Sequence, residues 1–435
     1  MTVRMKRRPS RSFLICLGTL SALGTAGAWA WSRANSIPSH TRAKIGFFEA
    51  VFYREKPANN YFPTPEDRAR NRAATAALIE KLRNEYPALK IENHPVPEAE
   101  NGFFQFYRFA QEFAAAKPPE AQELQRFLAD DRWDTNEAKR LLSQNAATVA
   151  RIEAIAALTQ RSTANMPDDY HGFIEARPMK FAAEVLLLKA RLAAEARDEP
   201  EAQRLTKAAF NLATHLRQVE TPSLLGETVV LLLDRAIADS TFQHVLPALG
   251  REANLAQWKE ILRPRSYTSG DFAHVMGGEW DNTTRHFLFP VLVDPSNRNR
   301  PKDADELAKT MTSHYHALIT RMSRMSLAAM RTDPGLATPD ELKNFSAKSR
   351  EIYKTLTMGS ASWSKGYLSA AVNMAQYQAA LDLLIREKAG SPLTRDSAAE
   401  VSRDPLAEKP FDFDPVTRML TTSSIREVSP LKLPL

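Results

Sequence analysis

The chain has 435 residues, of which 43% are hydrophobic, 9% aromatic and 25% charged. These proportions exclude collagen-like, low-complexity and fully disordered chains, and the length predicts two or three domains at roughly 150 residues per domain. Lys and Arg number 58 against 51 Asp and Glu, a net charge of +7. Arg4, Lys6, Arg7, Arg8 and Arg11 lie in the first eleven residues without an acid beside them, and setting those five aside leaves +2 for everything else. The basic balance is therefore an N-terminal feature. It argues against nucleic acid as a partner, which would need basic residues clustered on a folded face.

Residues 13–31 follow the basic stretch and carry no charge. A basic start and an apolar run predict a secretory signal peptide or an N-terminal membrane anchor over residues 1–31. Ala26-Gly27-Ala28 and Ala28-Trp29-Ala30 are small-x-small cleavage sites. As a transmembrane segment, the run would keep the N-terminus cytoplasmic and give the protein its membrane contact. Both readings place the rest of the chain outside the cytoplasm, in the periplasm or on the periplasmic face of the inner membrane. Cys16 is the one cysteine and falls inside this run. The remainder can form no disulfide and no thiolate metal site.

From Pro38 onward the pattern is helical. Thr64-Pro65-Glu66-Asp67 is a helix start, with Thr as cap, Pro at the first position and acids in the first turn. Residues 89–101 read as a linker or one short strand. Phe103, Phe106, Tyr107, Phe109 and Phe113 form an aromatic stripe that predicts core packing. Asp134-Thr135-Asn136-Glu137 opens an amphipathic stretch through Leu141, Val149, Ile152, Ile155 and Leu158. In the middle, Phe181, Val185, Leu188 and Leu192 step by four, three and four. Asp198-Glu199-Pro200 breaks that helix, and Leu205, Ala209, Leu212 and Leu216 continue after it. Thr221-Pro222 starts a third helix running to Leu249. Residues 263–301, with Gly270, Gly277, Gly278, Pro290 and Pro295, read as a long irregular insertion. Helices resume with Leu307, Met311, Leu318 and Met322, and again with Leu368, Val372, Ala379 and Leu383. The expected fold class is all-α: helical hairpins packed as a bundle or a short irregular solenoid, with at most a few short strands. The expected organisation is an N-terminal helical region over 32–175 and a main helical domain over 176–390. A Pro-rich, partly disordered tail is expected over 391–435.

These parts resemble a family of exported, mostly helical bacterial proteins of unknown function. The resemblance rests on the basic and apolar N-terminus, a tetratricopeptide-like hairpin over 190–216, a helix over 224–249, and a late helix followed by Asp404-Pro405. The Asp-Pro tail is also similar to the C-terminal pattern of type II pseudopilins. The resemblance implies export and a helical fold, and it brings neither a reaction nor catalytic residues.

Candidate chemistry concentrates in residues 263–301. His274, Glu279, Trp280, Asp281 and His286 are the candidate binding residues, because two imidazoles, two carboxylates and an indole could line a polar concavity. His314-x-His316 is the tightest histidine pair. A spacing of two places its rings about 200° apart on a helix, which disfavours a shared metal. No metal and no cofactor is expected, and no nucleophile elbow or phosphate loop is present. The expected function is binding or scaffolding at the cell envelope, with a protein or peptide as partner. The alternatives are a hydrolase-like enzyme using the 263–301 segment and a structural envelope component. Convergence of His274, Glu279, Asp281 and His286 within about 4–6 Å would favour the enzyme.

Overall fold

A computed structural model describes residues 65–434, apart from 117–118, 130–132, 168–169, 171–173, 175, 263–266, 296, 298–299, 333–339 and 358–359. Among the described residues the chain is all-α, with short strands at its C-terminal end. Helix α1 (Pro65–Glu85) has proline at its first position. It is followed by a tight turn at Pro87–Leu89, and the next stretch holds only an isolated bridge from Asn101 to Gln160. Helix α2 (Gly102–Ala116) carries the aromatic stripe, with Phe103, Phe106, Tyr107 and Phe109 buried. Gly102 is required at its start, because a Cβ there would lie 2.2 Å from the buried His215 ring.

After α3 (Pro119–Ala129), the stretch expected to be one helix is two: α4 (Thr135–Gln144) and α5 (Ala146–Ala157). Asp134 caps α4 by accepting from the Asn136 and Glu137 amides. The break falls at Asn145, whose side-chain amide donates to the Leu141 carbonyl at 2.9 Å. Such local side-chain bonding competes with helix continuation.

The hairpin is α6 (Ala176–Glu195) and α7 (Glu199–Arg217), turned at Arg197 with φ of 63°. It lies at the centre of the bundle. Helices α2, α5 and α8 (Leu224–Ser240) all pack on it. Its apolar positions Val185, Leu188, Leu205, Leu212 and Leu216 are buried. Its flanks are thus covered by the chain's own helices.

The irregular insertion expected over 263–301 is instead mostly helix. Thr268 and Asp271 form a reciprocal capping box that starts α11 (Ser269–Thr283). The helix continues through a wide π-turn, Thr284–Leu288, into α12 (Phe289–Val293). The same device occurs earlier, where α8 passes through Thr241–Val245 into α9 (Leu246–Leu249). In each case the residue just before a proline bonds five residues back, Leu246 to the Thr241 carbonyl and Phe289 to the Thr284 carbonyl. In each case a threonine opens the turn, and its hydroxyl donates four residues back, Thr241 to Ile237 at 2.8 Å and Thr284 to Trp280 at 2.6 Å. A proline ring in an α-helix clashes with the carbonyl four residues earlier; the wider turn makes room for Pro247 and Pro290.

Helices α10 (Leu255–Leu262), α13 (Ala304–Met322), α14 (Leu327–Thr332), α15 (Ala347–Thr357) and α16 (Ser360–Lys388) complete the bundle. The tail, expected to be extended and partly disordered, folds back on α16. Strands β1 (Arg403–Asp404) and β2 (Lys409–Pro410) pair antiparallel. Strands β3 (Asp412–Asp414), β4 (Met419–Thr421) and β5 (Leu431–Lys432) form a second antiparallel sheet in that order. Asp404 holds the two sheets together. Its buried carboxylate accepts from the Leu406 and Ala407 amides at 2.8 and 3.1 Å, from Ser424 Oγ at 2.5 Å and from Thr422 Oγ1. Gln376 of α16 donates to the Leu420 carbonyl at 2.7 Å.

One expectation is corrected outright. Among the described residues no helix is long and apolar enough to cross a membrane, so the transmembrane reading finds no span there. Residues 13–31 lie outside the described residues.

Candidate functional site

Gly278 brings α11 against the turn between α7 and α8. A Cβ at that position would stand 2.2 Å from the Pro222 carbonyl oxygen, so glycine alone permits the approach. Two residues one helical turn away on either side share this face. His274, exposed, has Nε2 at 2.9 Å from the Val219 carbonyl oxygen. Asn282 donates through Nδ2 to the Thr221 carbonyl at 3.0 Å. Beside them, Glu279 Oε2 accepts from the Leu224 amide at 2.8 Å, and Oε1 accepts from Thr283 Oγ1 at 2.9 Å. The Leu224 amide is an unpaired donor at the start of α8, so Glu279 caps that helix from another part of the chain. Burial raises the Glu279 pKa, and the two donors only partly offset it.

The remaining candidates face elsewhere. Trp280 is fully buried, its indole nitrogen 3.3 Å from Thr312 Oγ1. Asp281 is buried between two guanidinium groups. Arg83 of α1 donates to its Oδ1 at 2.7 Å, while Arg285 reaches Oδ1 at 2.9 Å and Oδ2 at 3.0 Å. Half-buried His286 meets Tyr170 edge-on, with centroids 6.1 Å apart. The five candidates therefore do not line one concavity. They are divided between the α7–α8 turn, the interior and the α1 side of the helix.

A second polar cluster lies beneath the same turn. Arg217 at the end of α7 grips Glu227 of α8 through Nε, at 2.8 and 3.1 Å, and through Nη2. Its Nη1 is 3.5 Å from Asp234 Oδ2, which also accepts from the Tyr267 hydroxyl at 2.7 Å. The guanidinium sits 4.6 Å from the Tyr267 ring centroid. Glu227 and Asp234 show no exposed surface, and Arg217 only 7%. Burial opposes the Arg217 charge, yet Glu227, Tyr267 and Asp234 outweigh it and its pKa is raised. Burial and then Asp234 raise that of Tyr267. The sequence reading missed this cluster. Its signal was two acids, Glu227 and Asp234, seven residues apart across the apolar run of α8, which puts both on one face.

Each carboxylate here already accepts from structural donors, which compete with a substrate proton for its lone pairs. His314 faces Tyr353 with centroids 5.9 Å apart, and His316 faces Tyr86 at 5.5 Å, so the histidine pair looks in two directions. Among the described residues no group of three or more His, Cys, Asp or Glu is placed to hold a metal ion. A shallow cavity of about 360 Å³ lies between α10 and the end of α16, lined by Asn254, Leu255, Ile385 and Lys388 and remote in sequence from the five candidates. Comparison with known proteins found no family, no curated protein and no solved structure that matches this chain.

Proposed function

We propose that the protein acts by binding a protein or peptide partner, as an exported helical scaffold at the cell envelope. One observation supports this over the hydrolase-like alternative: the four ionisable candidates are dispersed. His274 meets a backbone carbonyl, Glu279 caps α8, Asp281 lies under two arginines and His286 faces Tyr170. Hydrolysis needs a nucleophile or activated water, a base and charge-stabilising donors around one point. Export is supported by the basic start and the uncharged run that follows it.

The test is recovery of partners by the tagged full chain from cross-linked, solubilised envelopes, beside a panel of chromogenic ester, amide and glycoside substrates. A reproducible partner without turnover supports binding. Turnover that Glu279→Gln abolishes in a folded protein would replace this reading with the enzyme. A reporter active only outside the cytoplasm, fused after residue 33, should work; an inactive fusion removes export.

A further inference from the structure

We propose that Arg83 and Arg285, joined by Asp281, form a subsite for an oxyanion, a carboxylate or phosphate group presented by a ligand or partner. The charge count is the first argument. Two guanidinium groups converge on one carboxylate, at 2.7 Å for Arg83 and 2.9 and 3.0 Å for Arg285, which leaves one positive charge uncompensated in that shell. Glu80 is near enough to Arg83 to act on it, but it is exposed, where water and salt screen its charge.

Arg83 supplies the second argument. It is 9% exposed, and its Nε–H has no partner among the described residues. A buried donor left unused is costly, and a second buried cation adds nothing that Asp281 requires, since Arg285 already engages both of its oxygens. Arg285, with 38% of its side chain exposed, is the solvent-facing member of the cluster.

Aromatic rings border the cluster. The Trp280 ring lies 6.0 Å from the Arg83 guanidinium carbon. Tyr170 stands edge-on to His286 and close enough to Asp281 to feel its charge. The π-turn presents Arg285 and His286 from one wide turn, a geometry frequent at functional sites. A fork of guanidinium donors binds carboxylate and phosphate alike, so the shared chemistry is the oxyanion. This subsite rests on the binding reading only for the source of its anion.

The experiment titrates the purified protein with inorganic phosphate, and separately with a triglutamate peptide, at ionic strength held constant with sodium chloride. Melting temperature and tryptophan fluorescence are read together. The expected result is a saturable rise in Tm with at least one of the two; phosphate alone identifies a phosphoryl ligand, and the peptide alone an acidic protein segment. Arg285→Gln should abolish the rise. Arg285→Lys, which keeps an ion pair with Asp281 and protects the fold, should weaken it roughly tenfold. No response to either probe overturns the proposal, and so does an equal response in Arg285→Lys. Both results are independent of partner recovery, so the subsite can fail while the binding reading stands.

Discussion

Gly278 and Pro222 meet with no room for a side chain: a Cβ on Gly278 would lie 2.2 Å from the Pro222 carbonyl oxygen and 2.5 Å from its ring. The neighbouring Gly277 has Ile319 Cδ1 as its nearest atom, at 3.7 Å, an ordinary contact. Adjacent glycines in one helix therefore make opposite predictions. Gly278→Ala should cost about 3 kcal/mol or more, because backbone must move. Gly277→Ala should stabilise by up to about 1 kcal/mol, the helix propensity difference. Chemical denaturation of the two variants checks the sign of each.

The cluster at Arg217 predicts a non-additive pair. Arg217→Met leaves the Glu227 carboxylate buried without its bidentate partner and should cost roughly 3–5 kcal/mol. Adding Glu227→Met removes the stranded charge and should recover at least half of that loss. A double-mutant cycle by urea unfolding measures the coupling. Additive losses would show that the pair contributes no more than its packing.

Glu279 predicts a pH dependence with a definite sign. Burial raises its pKa in the folded chain above the unfolded value. Between those two values the folded state holds more protons than the unfolded state, so stability falls as pH rises through the window. The contribution is fully present below the unfolded pKa and lost above the folded one. Glu279→Gln keeps an oxygen for the Leu224 amide and cannot titrate. Its unfolding free energy should be flatter than that of the wild type from the ordinary carboxylate range upward, measured as urea midpoints across pH.

Asp404 predicts a local effect. Its carboxylate satisfies two backbone amides and two hydroxyls that join the C-terminal sheets. Asp404→Ala should cost about 3 kcal/mol, since hydrogen bonds to a charged acceptor are the stronger kind. Hydrogen exchange should show lost protection across residues 403–433, with α6 and α7 unchanged.

The helices were legible where apolar spacing governs them. Phe181, Val185 and Leu188 all point inward on α6, as their spacing requires. The reading failed where one residue stood for two opposite outcomes. Pro290 reads as a breaker because the ring clashes inside an α-helix, and only the π-turn removes the clash. Gly277 and Gly278 look like breakers too, while at Gly278 the missing side chain is what lets α11 dock. Asn145 hid a helix break inside a continuous apolar pattern. The candidate residues were real polar features of α11. Which neighbour each would meet depended on Val219, Leu224, Arg83 and Tyr170, distant in sequence and invisible to local spacing.

The two π-turns have a consequence for direction. A π-turn holds one residue more than an α-turn, so every side chain after it is rotated by about 100° from where an unbroken helix would aim it. Upstream of Thr284 the helix addresses the α7–α8 turn, and downstream Phe289 is buried as α12 lies along α1. Upstream of Thr241, α8 packs on α6, α7 and α16, and beyond the turn α9 stays against α6. The joint at Thr284 thus works as a corner, tying the α7–α8 turn to α1 through one continuous helix. Chain length through the joint is what sets its angle: excising one residue from either π-turn would turn the downstream half toward other neighbours and press Pro247 or Pro290 against the preceding turn.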